Sequence, residues 1–186
     1  MAKINLSPAT RSTSWNPPPV EMVGCWRNTS SGAGDWEISA NGNFYAVQRP
    51  IPYTISSNGL QFTWGPYLYD RIFGTPSSAT PAGLVGGWQT SSGYIENLYL
   101  NADGSYRYHE PTVNSGPDLY GEYRATNSML GTKELRAVIF VYGSELKFES
   151  VFSGNYRYQW SISGIVMTWI ELSSGVTTEY ISVACP

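Results

Sequence analysis

An all-β, antiparallel up-and-down barrel is the fold class this sequence predicts, and three observations predict it. Almost no stretch after residue 22 supports a helix, strand-like alternation runs between turn signals to the end of the chain, and a strand unit carrying Gly-x-Trp occurs twice. Roughly a dozen strands are too many for a comfortable open sheet, so closure into a barrel or folding into two packed layers is expected.

Residues 1–20 carry Ser, Thr, Pro and Asn without periodicity, and Pro17-Pro18-Pro19 favours an extended path. They read as an N-terminal extended arm, with Ile4, Leu6 and Trp15 as anchors that let it lie across a barrel mouth as a lid; a plain tail is the alternative. Residues 21–186 read as a single barrel domain. In its first unit, 21–74, residues 35–40 alternate with Trp36 and Ile38 on one face, and Asn41-Gly42 is the strongest hairpin signal in the chain. Residues 44–48 return and 53–56 follow. Asn58-Gly59 then turns into 60–64, where Leu60, Phe62 and Trp64 share a face, and 67–73 ends the unit.

Residues 75–83 form a Pro/Ser/Ala linker, after which the pattern restarts in a second, enlarged unit, 84–186. VEMVGCWRNTSSG answers AGLVGGWQTSSG, placing Trp26 and Trp88 in equivalent positions, and Asn41-Gly42 answers Asp103-Gly104. YTISSNGLQFTW at 53–64 also resembles YQWSISGIVMTW at 158–169, so an internal duplication is expected. The extra strands read as 119–125, 134–142, 145–151, 155–162, 165–172 and 176–183. A two-domain arrangement stays open, although the first unit alone has too few strands to close.

Composition narrows the partners. Aromatic residues make up 15% of the 186 residues and charged residues 13%, against roughly 25% charged in an ordinary domain. Large aromatic surfaces therefore go inside or into a binding site. Eleven basic residues against fourteen acidic ones, net −3 without like-charge runs, leave no footprint for nucleic acid or an anionic membrane. No apolar run approaches the roughly 18 residues of a membrane span, and the N-terminus lacks an apolar signal region. A cytoplasmic chain is expected, and a homodimer is left open. Cys25 and Cys185 sit at opposite ends of the folded part; barrel closure would make them neighbours able to form a disulfide in an oxidising compartment. Two reduced cysteines is the reading a cytosolic chain favours. Two Cys and one His without close spacing predict no metal site. Phosphate loops and nicotinamide fingerprints are missing, so no cofactor is expected.

Gly24-Cys25-Trp26 and Gly86-Gly87-Trp88, each preceded by apolar residues and followed by a hairpin with a Gly turn, resemble the first strand of the lipocalin and wider calycin group. That resemblance implies a lipocalin-like barrel around an apolar ligand, its Trp closing the base beneath an Arg; Arg71 is the matching candidate. A second Thr-Asp-Tyr-like motif is absent and the repeat is doubled. In its whole layout the chain is also similar to small cofactor-free barrel cyclases of the spirotetronate and spirotetramate type, some of them capped by an N-terminal segment.

Several residues are candidates for chemistry. His109, the sole histidine, lies at a strand end beside Glu110 and would serve as a general acid or base there, or stand solvated at the rim. Glu122, next to Tyr123, and Glu171 lie within apolar strands; one facing inward would be held more protonated than usual. Alternation puts Tyr106 and Tyr108 on one face, Tyr156, Tyr158 and Trp160 on one face, and Ile165, Met167 and Trp169 on another. Inward-facing, these residues make a wide aromatic interior with phenol hydroxyls, suited to an apolar molecule with a few carbonyls; otherwise they fill a core. The expected catalytic set is His109, Glu110, Glu122 and Tyr123. The expected ligand-binding set is Trp15, Tyr106, Tyr108, Tyr156, Tyr158, Trp160, Met167 and Trp169. The expected function is binding of a largely apolar small molecule by a cofactor-independent cyclase or isomerase of pericyclic, [4+2] type that holds one reactive conformer. The alternatives are a non-catalytic lipid or pigment carrier, and a carbohydrate-binding module with outward aromatics such as Trp15 or Trp64.

Overall fold

The computed structural model describes residues 15–30, 34–92, 95–109, 117–152 and 154–186. Its strands, in chain order, are β1 (Gly24–Asn28), β2 (Asp35–Ile38), β3 (Asn43–Ile55), β4 (Gln61–Trp64), β5 (Tyr67–Phe73), β6 (Gly86–Thr90) and β7 (Asn97–Leu100), then β8 (Ser105–His109), β9 (Leu119–Ala125), β10 (Met129–Tyr142), β11 (Glu145–Ser150), β12 (Asn155–Ser163), β13 (Val166–Glu171) and β14 (Thr177–Val183). Each strand pairs antiparallel with its sequence neighbour except across β1 and β14, which pair with each other and close the circle. The all-β, up-and-down architecture expected from the alternation is the one formed. A closed circuit leaves no strand edge exposed along its length.

The circuit is pinched. β3 and β10, at 13 and 14 residues the longest strands, also pair with each other, from Met129↔Pro52 to Val138↔Asn43. This crossing divides the circuit into two smaller rings that share the β3–β10 ribbon. One runs β3-β4-β5-β6-β7-β8-β9-β10 and the other β10-β11-β12-β13-β14-β1-β2-β3. Each ring draws strands from both Gly-x-Trp units.

Each ring has its own core. Tyr53, Phe62, Trp64, Tyr69, Trp88 and Tyr106 cluster in the first, here the Trp88 ring. Trp26, Phe44, Ile139, Met167, Trp169 and Tyr180 cluster in the second, the Trp26 ring. Alternation along β10 serves both: Leu130 belongs to the Trp88 core, whereas Ala137, Ile139 and Val141, on the opposite phase, belong to the Trp26 core.

The two Gly-x-Trp strands begin alike. A 3-10 turn (Val20–Met22 or Ala82–Leu84) leads into the strand, and the Trp indole donates to the carbonyl four residues back, Trp26 to Met22 at 2.9 Å and Trp88 to Leu84 at 2.8 Å. Gly24 and Gly86 share a φ of 143° and 144°. At Gly86 a Cβ would stand 2.5 Å from Arg71 Nη1 and 2.6 Å from the Phe73 carbonyl, so this turn admits only glycine. Counted round its ring from the Gly-x-Trp strand, β3–β4 of one ring takes the place of β12–β13 of the other. These are the segments whose sequences resemble one another.

The bases of the two rings differ. In the Trp88 ring Arg71 pairs in register with Trp88, its guanidinium lies 3.9 Å from the indole centroid, and it donates to the carbonyls of Gly59, Val85 and Gly83 at 2.7, 3.0 and 2.6 Å. In the Trp26 ring the register partner of Trp26 is Ser182, and a Cys25–Cys185 disulfide ties β1 to the chain just past β14. The reduced-cysteine expectation is therefore corrected: ring closure brings these two residues 160 positions apart within bonding distance.

Among the described residues of the expected arm, Asn16 exchanges backbone bonds with Val141 at 2.9 and 2.8 Å. Trp15 leans on Tyr142 and Arg157. This stretch runs beside the far end of β10, where β3 no longer pairs. Ile4 and Leu6 lie outside the described residues.

Asp35 is 7% exposed on β2 and is bonded by Arg27 from β1, at 2.7 Å, and by Arg49 from β3. The hydrogen bond from Arg27 is the largest cause holding its carboxyl below the usual range. A depressed folded-state pKa contributes stability that is present above the unfolded value and lost as pH falls through the folded one. Thermal unfolding followed from about pH 6 to about pH 2 is therefore expected to show a loss below about pH 4, and Asp35→Asn is expected to lower stability near pH 6 while flattening that acid limb.

Candidate functional site

One end of the Trp88 ring is hollow. An eight-stranded barrel is just wide enough to be filled by side chains or to hold one small ligand, and the two rings take the two options. The fifth strand counted from Gly-x-Trp is β11 in the Trp26 ring, where Phe148 packs against Phe44 at 5.2 Å and against Tyr158 and Trp169 at 6.3 Å each. In the Trp88 ring it is the start of β10, which offers Thr132 and Glu134 instead. These polar side chains do not fill the space, and a cavity of about 580 Å³ remains.

The wall is built strand by strand: Trp64 from β4, Tyr67 and Tyr69 from β5, Leu98 from β7, Tyr106 and Tyr108 from β8, Leu119 from β9, and Thr132, Glu134 and Arg136 from β10. Glu96 lines it from just before β7; its backbone is held through reciprocal contacts with Thr90, whose amide donates to the Glu96 carbonyl at 3.1 Å and whose hydroxyl accepts the Glu96 amide at 3.0 Å.

Two tyrosine–carboxylate pairs face this space. The Tyr106 hydroxyl donates to Glu134 Oε1 at 3.2 Å, and Arg136 donates to Glu134 Oε2 at 2.7 Å. The Tyr69 hydroxyl donates to Glu96 Oε2 at 3.4 Å. Burial first, then the neighbouring Glu134 charge, pushes the Tyr106 phenol well up; burial and then Glu96 do the same for Tyr69. Both phenols stay protonated at neutral pH, and the neighbouring Tyr69 adds to the upward push on Tyr106.

The expected site residues divide among separate places. Tyr106 and Tyr108 reach the cavity. Met167 and Trp169 belong to the packed interior of the Trp26 ring, with Tyr158 and Trp160 half-buried against it, Tyr156 is 42% exposed, and Trp15 lies outside that ring. No single interior joins the set, because the β3–β10 pairing separates its members.

His109 points away from the cavity, since alternation along β8 sends Arg107 and His109 out where Tyr106 and Tyr108 go in. Its Nδ1 lies 2.7 Å from Asp118 Oδ1, and Arg107 donates to the same carboxylate at 3.1 Å; Glu110, the partner expected from sequence, lies outside the described residues. Glu122 is an outward residue, its side chain 57% exposed and 3.4 Å from Lys133. Tyr123 donates to the Asn101 carbonyl at 2.7 Å, and burial raises its phenol. Glu171 accepts from Ser173 and Ser174 at 2.6 and 2.7 Å, which lowers its pKa rather than raising it. Trp64, a candidate outward stacker, is 9% exposed, with its indole donating to the Leu130 carbonyl at 3.0 Å.

No family model, curated protein or solved structure matches the chain. The site is therefore read from its own chemistry. Among the described residues no group of three or more His, Cys, Asp and Glu is placed to hold a metal ion, and no helix is long and apolar enough to cross a membrane.

Sequence reasoning passed over Tyr69, Glu96, Glu134 and Arg136. Tyr67 and Tyr69 alternate in the same way as Tyr106 and Tyr108, which was a usable signal. Glu96, by contrast, sits in a short link between strands and carries no pattern.

Proposed function

We propose that the protein binds one small molecule with an apolar, ring-bearing body in the cavity of the Trp88 ring. The observation that carries this reading is the contrast between two rings of like construction, one packed solid with aromatics and the other left open over about 580 Å³. That volume falls within the roughly 300–1,000 Å³ of ligand pockets, and aromatic walls with a few polar groups are their usual lining. The lipocalin-like resemblance adds support: each ring has eight antiparallel strands with a Gly-x-Trp strand among them, and in one of them an Arg covers the Trp.

Between carrying and cyclising, the geometry favours carrying. His109 and Glu122 face outward, and the Tyr69 and Tyr106 hydroxyls are turned to carboxylates rather than offered to a carbonyl. The Cys25–Cys185 disulfide also suits an oxidising compartment better than the cytoplasm. A conformer-holding cyclase needs no acid or base, so the same experiment addresses it.

Native mass spectrometry of the protein from its source is expected to show a bound small molecule. Thr132→Phe, which puts a phenyl ring into the cavity from its wall, should sharply weaken retention, whereas Phe148→Leu in the Trp26 ring should not. Equal retention by both variants would overturn the assignment to the Trp88 ring. Release of an isomer of the loaded compound would favour the cyclase, and release of the compound unchanged would favour the carrier.

A further inference from the structure

Given that the cavity of the Trp88 ring holds a ligand, an unmet hydrogen bond in its wall specifies that ligand's polar end. Among the described residues three buried side-chain donors lack an acceptor: the indole N–H groups of Trp36 and Trp169 and the Nε–H of Arg136. Both indoles stand in or against the aromatic packing of the Trp26 ring, whereas Arg136 lines the cavity. Elsewhere the protein satisfies this atom: Nε donates to Asp35 in Arg27 and in Arg49, and to the Gly59 carbonyl in Arg71. In Arg136 it is Nη2 that is committed, to Glu134 Oε2 at 2.7 Å, and Nε is left over. Buried polar groups are nearly always paired, and a charged one left without its partner is costly.

Other polar atoms of the wall discriminate less. Tyr69 and Tyr106 give their hydroxyl protons to Glu96 and Glu134, and the hydroxyls of Tyr67 and Thr132 serve as donor or acceptor alike. The Nε–H of Arg136 can only donate, so it selects a guest that presents an acceptor. Glu134 already holds this guanidinium in an ion pair, and a carboxylate guest would set a second anion beside the first. A hydroxyl guest would bring a proton needing a partner of its own. Nε is closed to water, and the guanidinium lies against the Phe152 ring at 5.4 Å, itself 48% exposed at the cavity's edge; an acceptor reaches it by displacing that ring. We infer that the ligand's polar end is a neutral carbonyl whose oxygen accepts from Arg136 Nε, with the apolar body lying against Trp64 and Leu98.

The test compares three probes of one skeleton by isothermal titration calorimetry at pH 7: 4-phenyl-2-butanone, 4-phenylbutyrate and 4-phenylbutylamine. The ketone is expected to bind most tightly, and its carbonyl carbon, labelled with carbon-13, to resonate downfield of its position in hexane, as a hydrogen-bonded carbonyl does. Arg136→Lys keeps a charge for Glu134 but puts a methylene where Nε stands. It should weaken the ketone about tenfold or more, the size of one hydrogen bond to a charged group, and return the carbon signal toward its hexane position. A tighter-binding acid would overturn the neutral assignment and a tighter-binding amine the acceptor assignment. A bound ketone without the downfield shift, or with a shift that Arg136→Lys leaves in place, would remove Arg136 as its donor; in each of these cases the cavity reading stands. If none of the three binds the wild-type protein, both fall. The order of affinities and the shift are read on the wild-type protein, so a variant that fails to fold does not rescue the proposal.

Discussion

Trp88→Ala is expected to lower the unfolding free energy by about 3–5 kcal/mol, the range for emptying a large aromatic from a core. Trp88 is fully buried, meets Phe62 edge-on at 4.7 Å, caps the 3-10 turn through its indole N–H and carries the Arg71 guanidinium on its face. Burial already holds the Arg71 pKa down, and removing the indole takes away its π partner while leaving its three carbonyl acceptors. Trp88→Phe should recover part of the loss but not the indole hydrogen bond. Because β3 and β10 belong to both rings, denaturant unfolding should remain one transition, its midpoint shifted and its slope unchanged. Two separated transitions, only one of them moved, would show that the rings unfold independently and that the shared ribbon does not couple them.

The fold was legible where local chemistry decides structure. Asn41-Gly42 and Asp103-Gly104 turn the hairpins between β2 and β3 and between β7 and β8, as their turn preferences dictate. The doubled Gly-x-Trp unit and the likeness of 53–64 to 158–169 anticipated two equivalent sets of strands. What stayed hidden was the pairing of β3 with β10. It joins residues far apart in the chain, from Met129↔Pro52 to Val138↔Asn43, and neither strand's alternation says that its two ends serve different cores. A single interior was therefore expected, and Tyr106 was grouped with Trp169 although the ribbon lies between them. The site suffered from the same cause. Glu134 and Arg136 read as the start of an ordinary strand, and only the β10 register sets them opposite Tyr106. Likewise Arg71 matched the base of the barrel from its place at the end of a unit, whereas the disulfide that ties β1 to the chain past β14 depended on ring closure.

Gly121→Ala should disable the cavity from outside it. Gly121 sits on β9 opposite Glu134 on one side and Tyr106 on the other, so the two halves of one tyrosine–carboxylate pair are set across it. A Cβ built there would stand 1.7 Å from the Lys133 carbonyl oxygen and 2.7 Å from its carbon, an overlap with backbone that no side-chain rotation relieves. β9 must move away from β10, breaking the ladder bonds that close the Trp88 ring on this side. Overpacking of a core generally costs about 1–3 kcal/mol, and the upper end or beyond is expected here because the displaced partner is a strand. Hydrogen exchange should rise first along β9 and the first half of β10, with β12 and β13 of the Trp26 ring still protected. Ligand retention should be lost even where the protein stays folded, since Tyr106 and Glu134 no longer face each other at the right separation. Wild-type stability and full retention in Gly121→Ala would mean that β9 and β10 pair more loosely than this register allows, and the placement of Glu134 in the cavity wall would fall with it.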